Sequence, residues 1–157
     1  MNVEAKRLTK VQTEYQIQPA GIKDLGALRS LEKICFPLDA WPFLDMIGAL
    51  TLPNIVRYKM EVNGKLIGFI AGDIRKMQRI GWIASVCIHP DFRRRGLAEK
   101  LLALCEREMQ MPRIKLTVRA SNSAAIMLYR QNGYLQVGRW RNYYKGGEDG
   151  VVMEKMF

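Results

Sequence analysis

Arg93, Arg94 and Arg95 stand directly before Gly96 and Ala98, just after an apolar run, 80–88, that ends at His89-Pro90. A strand that feeds a glycine turn and then a helix start builds an anion site. The first amides of a helix have no intrahelical partner, and the helix dipole favours negative charge there. A pyrophosphate suits such a place. Arg93, Gly96 and Ala98 fall at R-x-x-G-x-A spacing, which is more specific than a generic glycine turn. The competing reading is a basic helix N-terminus whose arginines are simply solvated.

Other reactive residues are sparse. His89 is the only histidine, so a Ser-His-Asp triad or a histidine-based metal site would have to use it; strand-end packing is the plainer reading. Cys35, Cys87 and Cys105 are widely spaced and odd in number. They form no C-x-x-C pair and no disulfide framework, and no zinc spacing appears. A reduced, cytoplasmic setting is expected. No apolar run reaches the ~18 residues that span a membrane. No apolar region follows the first residues, so no secretory signal is expected.

The 157 residues suit one domain, which can bury roughly two-thirds of its unfolded surface without staples. Lys plus Arg is 25 against 15 Asp plus Glu, a net charge of +10. That excess fits steering of a polyanionic ligand, a setting near ribosomes, or nucleic acid. The basic residues are scattered apart from 93–95 and Arg139, Arg141 and Lys145, which makes nucleic acid the weaker reading.

Elements that must position the Arg-Gly turn follow from periodicity. Residues 1–14 read as a mobile arm. Tyr15 to Gln18 alternates like a short strand. Ile22, Leu25, Leu28, Leu31 and Cys35 mark an amphipathic helix that Phe36-Pro37 ends. A loop spans 37–42, and a shorter helix spans 43–50. Runs at 55–62 and 65–74 flank Asn63-Gly64, a strong hairpin signal. A third strand, 80–88, feeds the turn. A helix begins at Leu97 and breaks at Met111-Pro112. Residues 113–119 alternate cleanly as a strand. Ser121 or Asn122 caps another helix that Gly133 stops. Strands at 134–139 and 151–156 close the chain, with Gly146-Gly147 as a turn between them. The central strand–helix–strand unit implies parallel pairing, and the hairpins imply antiparallel pairing.

The Arg-Gly turn resembles the acetyl-CoA signature of the GCN5-related N-acetyltransferase (GNAT) superfamily: Arg or Gln, two residues, Gly, one residue, Gly or Ala. Three further stretches extend the likeness. Residues 118–129, Val-Arg-Ala-Ser-Asn-Ser-Ala-Ala-Ile-Met-Leu-Tyr, and then Asn132-Gly-Tyr, are similar to the V-R-x-S-N-x-x-A-x-x-L-Y-x-x-x-G-[FY] pattern of its N-terminal protein acetyltransferases, in particular the RimI-type ribosomal-protein alanine acetyltransferases. Arg141-Asn-Tyr-Tyr with Gly147-Glu-Asp-Gly, and more weakly Phe36-Pro to Trp41-Pro, also match. Together they cover about residues 15–156. The resemblance implies an α/β, GNAT-type mixed and mostly antiparallel sheet of about seven strands, with a parallel splayed pair and helices on both faces. Residues 15–157 would be the single domain.

It further implies an acetyl-CoA-dependent N-acetyltransferase that needs no metal and works by direct transfer in a ternary complex. Acetyl-CoA would lie where strands 80–88 and 113–118 part. The implied binding set is Val86, Cys87 and Ile88, whose opened strand edge would bond the pantetheine arm, with Arg93, Arg94, Arg95, Gly96, Leu97 and Ala98 around the pyrophosphate, and Asn122. A charge-assisted phosphate bond contributes about 1.5–3 kcal/mol. Asn122 reads equally well as a helix N-cap, and Val86 and Ile88 as core. Tyr129 is the implied acid, near the sulfur, where a protonated phenol can return a proton to a departing thiolate; a packed aromatic is the plainer reading.

Related enzymes of this type carry Glu just before the Val-Arg of that motif. Here Thr117 stands there and cannot take the proton, so a water with backbone carbonyls, Glu61 or Asp73 is left as the relay. At pH 7 roughly one α-amine in six is neutral, against roughly one lysine in 2,500. The missing base therefore tilts the acceptor toward a protein or peptide N-terminus. Tyr143 and Tyr144 would wall the acceptor site on one side, and Phe36, Trp41 and Pro42 on the other. Acetylation of a small amine or lysine, and a basic non-catalytic acetyl-CoA- or RNA-binding domain, are the alternatives.

Overall fold

The computed structural model describes residues 14–157. The arm expected at 1–14 lies outside them except for Glu14. Strands β1 (Gln16–Pro19), β2 (Ile55–Val62), β3 (Lys65–Arg75), β4 (Ile80–Ile88), β5 (Arg113–Arg119), β6 (Leu135–Trp140) and β7 (Gly150–Met156) alternate with helices α1 (Leu25–Cys35), α2 (Phe43–Thr51), α3 (Leu97–Met109) and α4 (Ser123–Gln131). The strands form one sheet in the order β1-β2-β3-β4-β5-β7-β6. Among the described residues only β4 and β5 run parallel. The expected mixed, mostly antiparallel sheet is what forms.

Local chemistry explains the elements. Asn63 and Gly64 both have positive φ, 50° and 75°, as the tight β2–β3 hairpin requires. Helix α1 begins later than periodicity suggests, because residues 22–24 form a tighter 3-10 turn. There the Asp24 carboxylate accepts from the Gly21 amide at 2.9 Å and pairs with Lys59 Nζ at 2.7 Å. That pair ties the helix start to β2.

The core has two layers. Met60, Ile67, Ile70, Leu101, Cys105, Ile114 and Met153 pack between the sheet and α3, with Tyr129 of α4 joining them. Leu28, Leu31, Leu50, Phe69 and Cys87 pack on the opposite face under α1 and α2. A Cβ at Gly72 would sit 2.5 Å from Met109 Sδ and 2.8 Å from Cys105 Sγ, so the bare glycine lets α3 seat directly on β3.

Two departures from regular pairing build the site. The parallel pairing of β4 and β5 covers only Ile80–Trp82 against Arg113–Lys115. In β4, Ala71 faces Ser85 while Gly72 faces Ile83, which leaves Ala84 unopposed as a bulge. A bulge bends its strand and adds twist. The bend falls where β4 leaves β5, and a gap opens between them.

Candidate active site

The gap is a cleft of about 180 Å³. Its walls are Ile83 to Val86 of β4 and Leu116 to Arg119 of β5. Glu32 of α1, and Phe36, Asp39 and Trp41 after it, also line the cleft. Asn122, Tyr129 and Tyr144 line it as well.

The donor side follows from the β3–β4 register. The His89 amide donates to the Ile67 carbonyl at 2.7 Å. Hydrogen-bonded pairs alternate along an antiparallel ladder, so Cys87 bonds Phe69 and Ser85 bonds Ala71. The backbone groups of Val86 and Ile88 therefore face the gap. The Ile88 carbonyl is already used, accepting from Arg93 Nε at 2.9 Å and from the Cys35 thiol at 3.4 Å. One expectation is corrected here. Cys87 turns its backbone toward β3 and its side chain into the α1 layer, so it offers the gap nothing. Arg93 stays exposed at the turn and spends only its Nε on the Ile88 carbonyl.

At the turn, Arg94 and Gly96 both have positive φ, 62° and 72°. The amides of Arg94, Gly96, Leu97 and Ala98 meet no acceptor among the described residues. A Cβ at Gly96 would touch nothing within 4 Å, so the space above the turn is open. Left-handed residues beside a helix start turn their amides into one concavity that suits an anion. These residues fit a pyrophosphate, and the unpaired edge at Val86 fits an amide-bearing arm. Leu97 contributes only its amide, because its side chain is buried. Arg95 bends toward the Asp91 carbonyl at 3.4 Å and covers the Phe92 ring. His89 caps this turn by accepting from the Asp91 amide, and lies outside the cleft lining.

Tyr129 is 8% exposed, with its ring edge-on to Tyr134 at 5.9 Å. Tyr134 is held in turn by its hydroxyl, which donates to Glu106 at 2.8 Å. No described residue hydrogen-bonds the Tyr129 hydroxyl. No fully enclosed side-chain polar atom among the described residues lacks a partner, so this hydroxyl opens on the cleft. Burial pushes its pKa well above the ordinary phenol value, with Tyr144 and Cys87 adding to the rise. It stays protonated at neutral pH.

Arg119 joins the loop after α1 to the β6–β7 connection. It grips Asp39 through Nε and Nη2 at 2.5 and 2.7 Å, and Glu148 through Nη1 at 2.7 Å. Its guanidinium also covers the Tyr144 ring at 4.8 Å. Glu148 accepts from the Ser121 amide at 2.7 Å as well, and these donors hold its carboxyl down at about 2. Tyr144 is in the lining, and burial raises its phenol to about 12. Tyr143 is not in the lining. It is half exposed, with its ring tilted against Trp140 and edge-on to Tyr144. Phe36 and Trp41 reach the cleft, and Pro42 does not. Asn122 does both things expected of it: it lines the cleft, and its side chain accepts from the Ala125 amide at 3.2 Å as a helix cap.

Thr117 lines the cleft at the expected place. The suggested relays do not. Glu61 pairs with Lys59 on β2, and Asp73 with Asn54 and Arg75 at the far end of β3. The cleft carries a carboxyl that periodicity passed over. Glu32 is 1% exposed and accepts from Ser85 Oγ at 2.8 Å and from the Trp41 backbone amide. Burial raises its pKa above the usual carboxylate value. The available signal was its position: four residues after Leu28 and three before Cys35, a carboxylate on the apolar stripe of α1.

The sequence model described as the Acetyltransferase (GNAT) family matches residues 26–134. The chain is 27% identical over 154 residues to an N-alpha-acetyltransferase from Sulfurisphaera tokodaii, covering 89% of this chain and 92% of the relative. It is 27% identical over 146 residues to the N-terminal acetyltransferase A complex catalytic subunit NAA10 of Arabidopsis thaliana, covering 88% and 76%. Among solved structures it is similar to the ribosomal-protein-S18-alanine N-acetyltransferase from Escherichia coli, with TM-score 0.83 and 26% identity, covering 91% of this chain and 94% of that one.

Proposed function

Since this chain belongs to the acetyltransferase (GNAT) family, we propose that it moves the acetyl group of acetyl-CoA onto the N-terminal α-amine of a protein or peptide. The observation that carries this is the gap between β4 and β5, where an unpaired strand edge meets a buried, protonated Tyr129. The α-amine as acceptor is supported by relatives named for that chemistry along nearly their whole length. The neighbour named for ribosomal protein S18 favours a ribosomal protein as acceptor. Three free cysteines fit the reducing cytoplasm. No helix among the described residues is long and apolar enough to cross a membrane.

The Arg94–Ala98 amides bind the pyrophosphate, and the Val86 edge aligns the pantetheine arm. Acetyl-CoA supplies an electrophilic thioester carbonyl and a thiolate leaving group. Tyr129 gives its proton to that sulfur. Transfer is direct: the Cys87 thiol, the nearest sulfur on β4, is kept protonated by the Cys35 side chain beside it and by burial, and makes no acyl carrier. Tyr144 and the Phe36–Trp41 loop hold the acceptor terminus against the gap.

Thiol release from acetyl-CoA tests the reading, with an alanine-starting peptide, an N-blocked lysine peptide and spermidine as acceptors. Release with the first alone is expected. Faster release with lysine or spermidine reassigns the acceptor, and no release with any of them rejects the enzyme reading.

A further inference from the structure

Three carboxylates are buried among the described residues: Glu32, Glu106 and Glu154. Glu106 is paired with Lys155 at 3.0 Å, and Glu154 with Arg113 at 2.7 Å. Glu32 alone of the three has no cationic partner among the described residues. Its carboxylate is held by two neutral donors, Ser85 Oγ and the Trp41 amide. An unpaired buried charge is costly, and such groups concentrate where proton chemistry is done. Glu32 and Ser85 both line the cleft that holds Tyr129, and Thr117 beside them cannot take a proton at neutral pH.

We propose that Glu32 is the proton acceptor for the attacking amine, with Ser85 bridging its carboxylate to the cleft. The inference rests on the α-amine reading above. As the amine nitrogen bonds to the acetyl carbon it holds one proton too many. That proton passes to Ser85 Oγ, whose own proton moves to Glu32. The carbon–sulfur bond breaks, and Tyr129 protonates the departing thiolate. Glu32 then loses its proton to solvent and Tyr129 regains one, so the cycle closes without any further reactant. Burial assists, since a carboxyl lifted above its usual pKa is a better acceptor than a surface one. Asp39 is the other carboxylate in the lining, and Arg119 holds both its oxygens. The ionisable groups around Glu32 are Cys35 on its own helix, Cys87 of β4, Arg119 of β5 with Asp39, and Tyr129 of α4.

Glu32→Gln keeps the shape and can still accept from Ser85. Its kcat is expected to fall about 10²–10⁴-fold, with acetyl-CoA affinity and thermal midpoint near those of the wild type. The wild-type kcat should level off with rising pH. In the variant it should keep climbing tenfold per pH unit, as hydroxide takes the proton instead. Ser85→Ala, which removes the bridge, should reproduce the climb in milder form. An unchanged pH profile in Glu32→Gln overturns the proposal, whether kcat is retained or falls together with the thermal midpoint. Each assay is run with an alanine-starting peptide and with a small primary amine. Wild-type turnover on the amine alone then rejects the acceptor reading while leaving Glu32 testable. No wild-type turnover on either overturns both.

Discussion

Arg119 and Asp39 are eighty residues apart in sequence and meet fork to fork, two guanidinium nitrogens on two carboxylate oxygens. The pair ties the end of β5 to the loop after α1. The same guanidinium holds Glu148 of the β6–β7 connection, so one side chain fixes two loops at the cleft. Bidentate geometry of this kind is specific to arginine.

Arg119→Lys keeps the charge but can hold only one of the two carboxylates at a time. The kcat/KM for the peptide is expected to fall by up to about 10²-fold, through misplaced loops. Acetyl-CoA affinity, set at the Arg-Gly turn, should not move. Steady-state kinetics beside calorimetric titration of acetyl-CoA measure the two effects. A matched loss in both would mean that Arg119 supports the whole fold.

The Glu148 carboxyl lies below its ordinary value, at about 2 instead of 4.5. Its folded pKa is depressed, so its contribution to stability is complete above pH 4.5 and is lost as pH falls toward about 2. Urea midpoints of wild type and Glu148→Gln should differ at pH 6 and converge across that acid window. Parallel curves down to pH 2 would count against the clamp.

Tyr129→Phe removes one hydroxyl and nothing from the packing. Turnover should drop about 10²–10⁴-fold with acetyl-CoA binding intact. The raised phenol pKa also means that no alkaline loss of wild-type activity below pH 10 should trace to Tyr129. Near-normal turnover in the variant would remove this residue from the mechanism.

Gly96→Ala places a Cβ in open space, so its cost is conformational and not steric. With φ at 72° the strain is about 1–2 kcal/mol. If relieved by a shift of the backbone, it turns the amides away. Weaker acetyl-CoA binding with only a small fall in thermal midpoint is expected. Wild-type affinity would place the pyrophosphate elsewhere.

The three thiols should react in a set order. Cys35 is lowered to about 7 by the Cys87 thiol donating to it and by Arg93, while burial lifts Cys105 to about 12. At pH 7.5, iodoacetamide should label Cys35 first and leave Cys105 unlabelled in the folded protein, as read by peptide mass spectrometry. Equal labelling would contradict these surroundings.

Periodicity and turn chemistry determined the elements of this chain. Alternation at 113–119, the Asn63-Gly64 turn and the Gly133 stop are local, and backbone sterics act on them wherever the chain goes. The Arg-Gly turn was legible for the same reason, since R-x-x-G-x-A builds its anion concavity from neighbouring residues. Tertiary structure decided what depends on meeting across the fold. The Ala84 bulge and the three-residue contact of β4 with β5 open the cleft, and neither has a local signal. Cys87 looked like a ligand residue until register and packing turned its backbone to β3 and its side chain into the α1 layer. Glu32 looked like one polar residue of a helix. Only the packing of α1 over Ser85 buries it without a countercharge, because desolvation is a property of the assembled layers and not of the residue itself.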